Sequence, residues 1–106
     1  DPGLLQIILG NLIGNALKYK RQDTVPYIKV TESNSGVSIT VVNVIDRALQ
    51  ATDRLTEKYY RDPANQGAGG TGLGLYIVQL LCDQLGHELR IEASSTHFSA
   101  TVSLKS

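Results

Sequence analysis

Three side chains near the start of the chain, and one glycine-rich stretch past its middle, have the types and spacing from which phosphate chemistry is built. Asn11, Asn15 and Lys18 stand four and three residues apart, which puts them on one face of a helix. Asparagine is a mediocre helix former, and two of them stacked beside Gly10 and Gly14 make a poor face for mere solvation. The choice of residues hints at ligand contact. Further on, five glycines fall within residues 67–74, and the apolar run Leu75-Tyr76-Ile77-Val78-Gln79-Leu80-Leu81 follows at once. Glycines let backbone approach an oxyanion closely, and the unpaired N–H groups at a helix start favour negative charge. A phosphate is the natural guest of such a junction.

Other phosphate motifs fit less well. Gly67, Gly69 and Gly72 satisfy G-x-G-x-x-G, but the residues before them, 57–66, are polar and broken by Pro63 rather than a buried strand, as a dinucleotide fold would require. There is no G-x-x-x-x-G-K-[ST]. Ten basic residues balance ten acidic ones without a block of either sign, which argues against a nucleic-acid groove and against a membrane-surface patch. The single cysteine, Cys82, makes no internal disulfide and no thiolate metal cluster, in keeping with a reduced, cytoplasmic setting. No apolar run approaches the roughly 20 residues that span a bilayer.

The elements that must position these residues are legible in outline. Asp1-Pro2-Gly3 suits a helix start, and Leu5, Leu9, Leu12 and Ala16, with Ile8 and Ile13, make an apolar stripe opposite the polar face. Lys20 to Thr24 and Pro26 end that helix. Alternation on either side of Asn34-Ser35-Gly36 predicts a hairpin of strands at 26–33 and 36–43. Periodicity fades from Val44 to Gly70 apart from a short helix near Asp53 to Tyr60, and so long a segment in a small domain reads as a lid. A second amphipathic helix runs from Leu73 to Leu85 and stops at Gly86, before strands at His87–Glu92 and Phe98–Leu104. The expected fold is one α+β domain over residues 1–106, a mostly antiparallel mixed sheet covered on one face by helices.

Residues 11–19, Asn-Leu-Ile-Gly-Asn-Ala-Leu-Lys-Tyr, resemble the N box of sensor histidine kinases. Glu57-Lys58-Tyr59-Tyr60-Arg61 is similar to their F-box region, and Gly70-Thr71-Gly72-Leu73-Gly74-Leu75 matches their second glycine box. The three occur in the family's order over nearly the whole chain. This resemblance implies the Bergerat ATP-binding sandwich, with ATP and Mg²⁺ as cofactors. It implies that Asn15 holds Mg²⁺, that Asn11 and Lys18 approach the phosphates, and that Tyr19 lies along the adenine or ribose. Arg61 would reach the terminal phosphate from the lid, and the segment Gly70, Thr71, Gly72, Leu73, Gly74 and Leu75 would bind the phosphates through backbone amides. The implied activity is transfer of the ATP γ-phosphoryl group to a histidine on a separate dimerisation domain of the same protein, expected before Asp1, with a response regulator served indirectly. ATPase relatives carry a glutamate at the position of Asn11 to activate water, and an amide is no general base.

One departure bears on the base. Where the family places DxGxG after the second strand, this chain reads Asn43-Val44-Ile45-Asp46-Arg47. Asn43 in the adenine-facing place offers a neutral carbonyl in place of a carboxylate, whereas a slipped register puts Asp46 there. With a freely rotating amide, discrimination between adenine and guanine should fall and Asn43→Asp should restore it. The other function compatible with a missing glycine box is a regulatory or interaction module that no longer binds nucleotide.

Overall fold

The computed structural model describes residues 2–34, 36–46, 49, 54–57 and 74–105. Six elements follow one another: α1 (Pro2–Tyr19), β1 (Tyr27–Ser33), β2 (Gly36–Val44), α2 (Gly74–Leu85), β3 (Glu88–Ala93) and β4 (His97–Lys105). The four strands form one sheet in the order β1-β2-β4-β3, and every pairing among them is antiparallel. Helices on one face of this sheet give the expected α+β sandwich. All four strand boundaries fall within a residue of those expected. Asp1, the expected N-cap, lies outside the described residues.

Strand register sorts the side chains. Val41 stands opposite Ala100, Ile39 opposite Val102, and Asn43 opposite Phe98, while Leu89 and Ile91 of β3 continue the same rows. Because alternate residues share a face, these form the inner surface, and Val41, Ala100, Val102 and Phe98 are buried there. The other face is polar: the hydroxyls of Ser38 and Ser103 lie 3.2 Å apart and those of Thr40 and Thr101 2.8 Å apart, cross-strand pairs that satisfy each other.

Onto the inner surface α1 lays Ile8, Leu12 and Ala16, and α2 lays Leu75, Val78 and Cys82, all within one apolar cluster. The stripe of α1 is narrower than its apolar composition suggested. Ile13 packs only partly against the core, and Ile7 and Leu17 are exposed. At its C-terminus α2 closes with Gly86 at φ +73°. The Gly86 N–H donates to the Asp83 carbonyl at 3.4 Å, and the His87 N–H donates to that of Cys82 at 2.9 Å. These paired bonds satisfy the last carbonyls of the helix and need a left-handed residue, which glycine supplies.

The predicted lid begins with more structure than its faded periodicity implied. Ile45 and Leu55 belong to the buried core, and Leu49 packs against it. These anchors are irregularly spaced, so they leave no helical or strand period to read. At residues 54–57, where a short helix was expected, there is a turn in which the Glu57 N–H donates to the Arg54 carbonyl at 2.9 Å. The Arg54 guanidinium pairs with the Glu57 carboxylate at 3.2 Å across it.

Candidate nucleotide site

The topology brings the three parts of the site to one end of the sheet. β2 finishes there at Asn43 and Val44, β4 starts there at His97 and Phe98, and Ala93 ends β3 beside Phe98. The last turn of α1 arrives at the same end, where the Arg21 N–H donates to the Val44 carbonyl at 2.6 Å. Since β3 starts at the far end, opposite Ser103, α2 has its C-terminus there and its N-terminus on the Asn43 side. The two helices therefore run antiparallel, and the start of α2 meets the Asn-bearing half of α1.

That meeting has a measurable contact. Asn11 Nδ2 donates to the Ile7 carbonyl one turn back at 2.9 Å. Its Oδ1 is the nearest heavy atom to the place where a side chain on Gly74 would begin, 3.6 Å away. The first residue of α2 thus lies against the first asparagine of α1, where the opening N–H groups of a helix lack intrahelical partners. Asn15, one turn on, is partly exposed and Lys18 is exposed. The Lys18 ammonium sits 5.6 Å from the centre of the Tyr19 ring, within cation–π range. Leu75, included in the sequence motif, turns its side chain into the core. Arg61, Gly70, Thr71, Gly72 and Leu73 lie outside the described residues.

Asn43 is the most informative residue. It is 2% exposed and the only buried polar side chain among the described residues. Its Nδ2 donates to the Val44 carbonyl at 3.3 Å, and its Oδ1 is buried with no partner. Leaving a buried carbonyl unpaired costs about 1–3 kcal/mol, so the atom is suited to a donor from a ligand. Asp46 has the opposite character: it is exposed and forms an ion pair with Arg21 at 3.5 Å. Of the two candidates, only Asn43 presents a buried acceptor. Sequence alone missed Arg21 and Thr96 as parts of this end. The Ile45 N–H donates to the Thr96 carbonyl at 2.8 Å, a tie across 51 residues with no local signal.

Donor chemistry fits the expected cofactors. Among the described residues no group of three or more His, Cys, Asp or Glu could cage a metal. Mg²⁺ commonly takes one or two protein oxygens and completes its shell with water and substrate phosphates. A single carboxamide such as Asn15 is adequate for that arrangement.

A family model described as histidine kinase-, DNA gyrase B- and HSP90-like ATPase matches residues 1–106. The chain belongs to this family. It is an ATP-binding domain of the histidine-kinase type. Among curated proteins it is 35% identical to the sensor protein QseC of Escherichia coli (strain K12), over 97% of this chain and 22% of that protein. To the sensor protein GacS of Pseudomonas syringae pv. syringae it is 31% identical, over 89% of this chain and 11% of that protein. The chain thus spans a quarter or less of the length of these relatives. Among solved structures, the mycobacterial sensor histidine kinase MprB superposes with a TM-score of 0.87 at 18% identity, over 99% of this chain and 74% of that one. That likeness concerns the fold. No helix among the described residues is long and apolar enough to cross a membrane.

Proposed function

We propose that this domain binds Mg·ATP at the end of the sheet where Asn43, the second half of α1 and the start of α2 converge, and presents the γ-phosphoryl group to a histidine on a separate dimerisation domain of the same protein. The observation that carries this reading is the buried, unpartnered Oδ1 of Asn43, at the same end as the polar face of α1. ATP supplies the phosphoryl group, and Mg²⁺ offsets the charge on its oxygens. Phosphoryl transfer asks the protein chiefly for positioning and charge neutralisation, and the residues divide accordingly. Asn43 accepts from the base, with Tyr19 along the adenine or ribose. Asn15 offers an oxygen to the metal, while Lys18 and Arg61 meet phosphate charge. The segment 70–75 donates backbone N–H groups, and Asn11, whose Oδ1 lies beside Gly74, approaches the phosphates. Asn11 cannot take a proton from water, so nothing identified in the site generates a hydroxide for hydrolysis. The phosphoryl group is therefore kept for an external acceptor, from which a response regulator receives it.

Calorimetric titration with Mg·ADP tests the binding half, with saturable binding at one site expected. Acid-labile, histidine-linked phosphate on the intact sensor protein tests the transfer half. The second reading, a regulatory module, draws on Ile45 and Arg47 standing at the two glycine positions of DxGxG, Ile45 being buried in the core. No heat and no thermal shift with Mg·ADP would decide for it.

A further inference from the structure

We infer that β1 is an interface on which a second copy of this chain adds its own β1, antiparallel and about a two-fold axis at Val30, joining two sheets into one. The two edges of the sheet are unlike. At one edge β3 turns Glu88, Arg90 and Glu92 to solvent and packs Leu89 and Ile91 against the core, the charged, half-covered form that keeps an edge from pairing. At the other, β1 is exposed at every residue. Ile28 and Val30 share the helix-side face with Val41 and Ile39, yet they are 51% and 64% exposed.

The width of the uncovered margin selects a strand as its occupant. α1 lies over β2 and α2 over β3, which leaves β1 bare. Strands are about 4.8 Å apart and a helix with its side chains is about 10–12 Å wide, so one strand is too narrow a seat for another helix. With β1 paired to β1 of a second copy, the two α1 helices stand three strand spacings apart, about 14 Å, and their side chains nearly meet over the joint. Asn11 faces the start of α2, so the opposite flank of α1, with Ile13 and the exposed Leu17, faces β1. These residues of both copies would roof Ile28 and Val30.

Charge selects a second copy and its register. Facing residues lie on the same side of a sheet, so a two-fold axis normal to it passes where one residue faces itself. Axes at Lys29 or Glu32 set like charges against each other. An axis at Val30, the middle residue of Tyr27–Ser33, overlaps both strands in full, sets Lys29 against Thr31 and Ile28 against Glu32, and packs Val30 on Val30. Axes at other residues shorten the overlap. The same axis keeps both helix layers on one face and turns the two candidate nucleotide ends in opposite directions, so each stays open.

Sedimentation velocity of the domain at rising concentration tests whether the pair forms, and the mass should move from 11.5 kDa toward twice that value. Crosslinking tests where. Cys82 is buried, so mild oxidation should leave the unchanged protein uncrosslinked. Antiparallel pairs alternate between narrow and wide spacing, so either Val30→Cys couples to itself, or Lys29→Cys mixed with Thr31→Cys couples several-fold more than either alone. Val30→Lys sets lysine against lysine and should weaken association about tenfold or more. Ile28→Lys sets lysine against Glu32 of the second copy and should weaken it several-fold less than Val30→Lys does. A monomer at every concentration overturns the inference. So does a dimer in which neither cysteine test couples, or in which the two lysine variants weaken association alike.

Discussion

Single residues in this domain differ in what a substitution would reveal. Asn15 is partly exposed on the polar face of α1, so Asn15→Asp should leave the circular dichroism spectrum unchanged. It would alter charge and donor set at the metal, and Mg²⁺-dependent nucleotide affinity should drop at least tenfold. An Asn15→Asp protein with undiminished Mg²⁺-dependent binding would remove this residue from the site. Cys82 is a different case. Burial raises its thiol pKa, and the neighbouring Asp83 carboxylate adds to the rise. The folded state therefore keeps the thiol proton after the unfolded state has lost it, and stability falls as pH climbs past the unfolded thiol value of about 8.5. Comparing thermal midpoints from about pH 8 to about pH 10 with those of Cys82→Ala isolates the effect: the unchanged protein should lose more. Parallel curves would show that Cys82 titrates alike in both states.

Between elements, glycines separate by backbone demand. Gly36 opens β2 at φ +138°, and a Cβ there would collide with the Leu104 carbonyl. Gly86 adopts φ +73° with open space around it. Replacing Gly86 by alanine should cost about 1–2 kcal/mol from the left-handed conformation alone, and Gly36→Ala more, since backbone must also move. Gly10 and Gly14 lie inside α1, and a Cβ on either would meet nothing within 4 Å. At exposed helix positions, alanine is worth roughly 0.5–1 kcal/mol over glycine. Thermal denaturation should thus rank the variants Gly10→Ala above the unchanged protein, then Gly86→Ala, then Gly36→Ala. A destabilised Gly10→Ala would mean that α1 is held by something other than its own helical preference. The stop at Gly86 was plain in the sequence, because an apolar helix followed by glycine has few other meanings. The run Asn34-Ser35-Gly36 marked a turn, but the further constraint on Gly36 comes from the Leu104 carbonyl, 68 residues away.

At the scale of the molecule, the sheet is covered unevenly. Helices shield β2, β4 and β3, but β1 is exposed along its whole length, with Tyr27, Ile28 and Val30 each more than half exposed. One edge of β1 has no neighbour among the described strands. An apolar edge of this kind is a template for pairing with another chain. The isolated domain should therefore associate as its concentration rises, and Val30→Lys should keep it monomeric, as read by sedimentation velocity. Since Val30 is exposed, this charge should change the thermal midpoint little. Association of the same strength in the Val30→Lys protein would place the contact elsewhere.

Local chemistry settled much of this protein before any coordinates. The N-box spacing of Asn11, Asn15 and Lys18, the glycine-to-helix junction and the two hairpin alternations depend on neighbours a few residues away, and the elements they specify formed where expected. Motif order then pointed to the ATP-binding family. Tertiary structure decided what depends on distant partners. Asn43 and Asp46 are both polar residues near the end of a strand, and only the sheet register and the tether from Arg21 make one a buried acceptor and the other an exposed half of an ion pair. β1 alternates as a hairpin strand should, yet the helix layer stops short of it. Period-two patterning records which residues share a face, but whether that face is covered depends on where the helices lie, which no short stretch of sequence encodes.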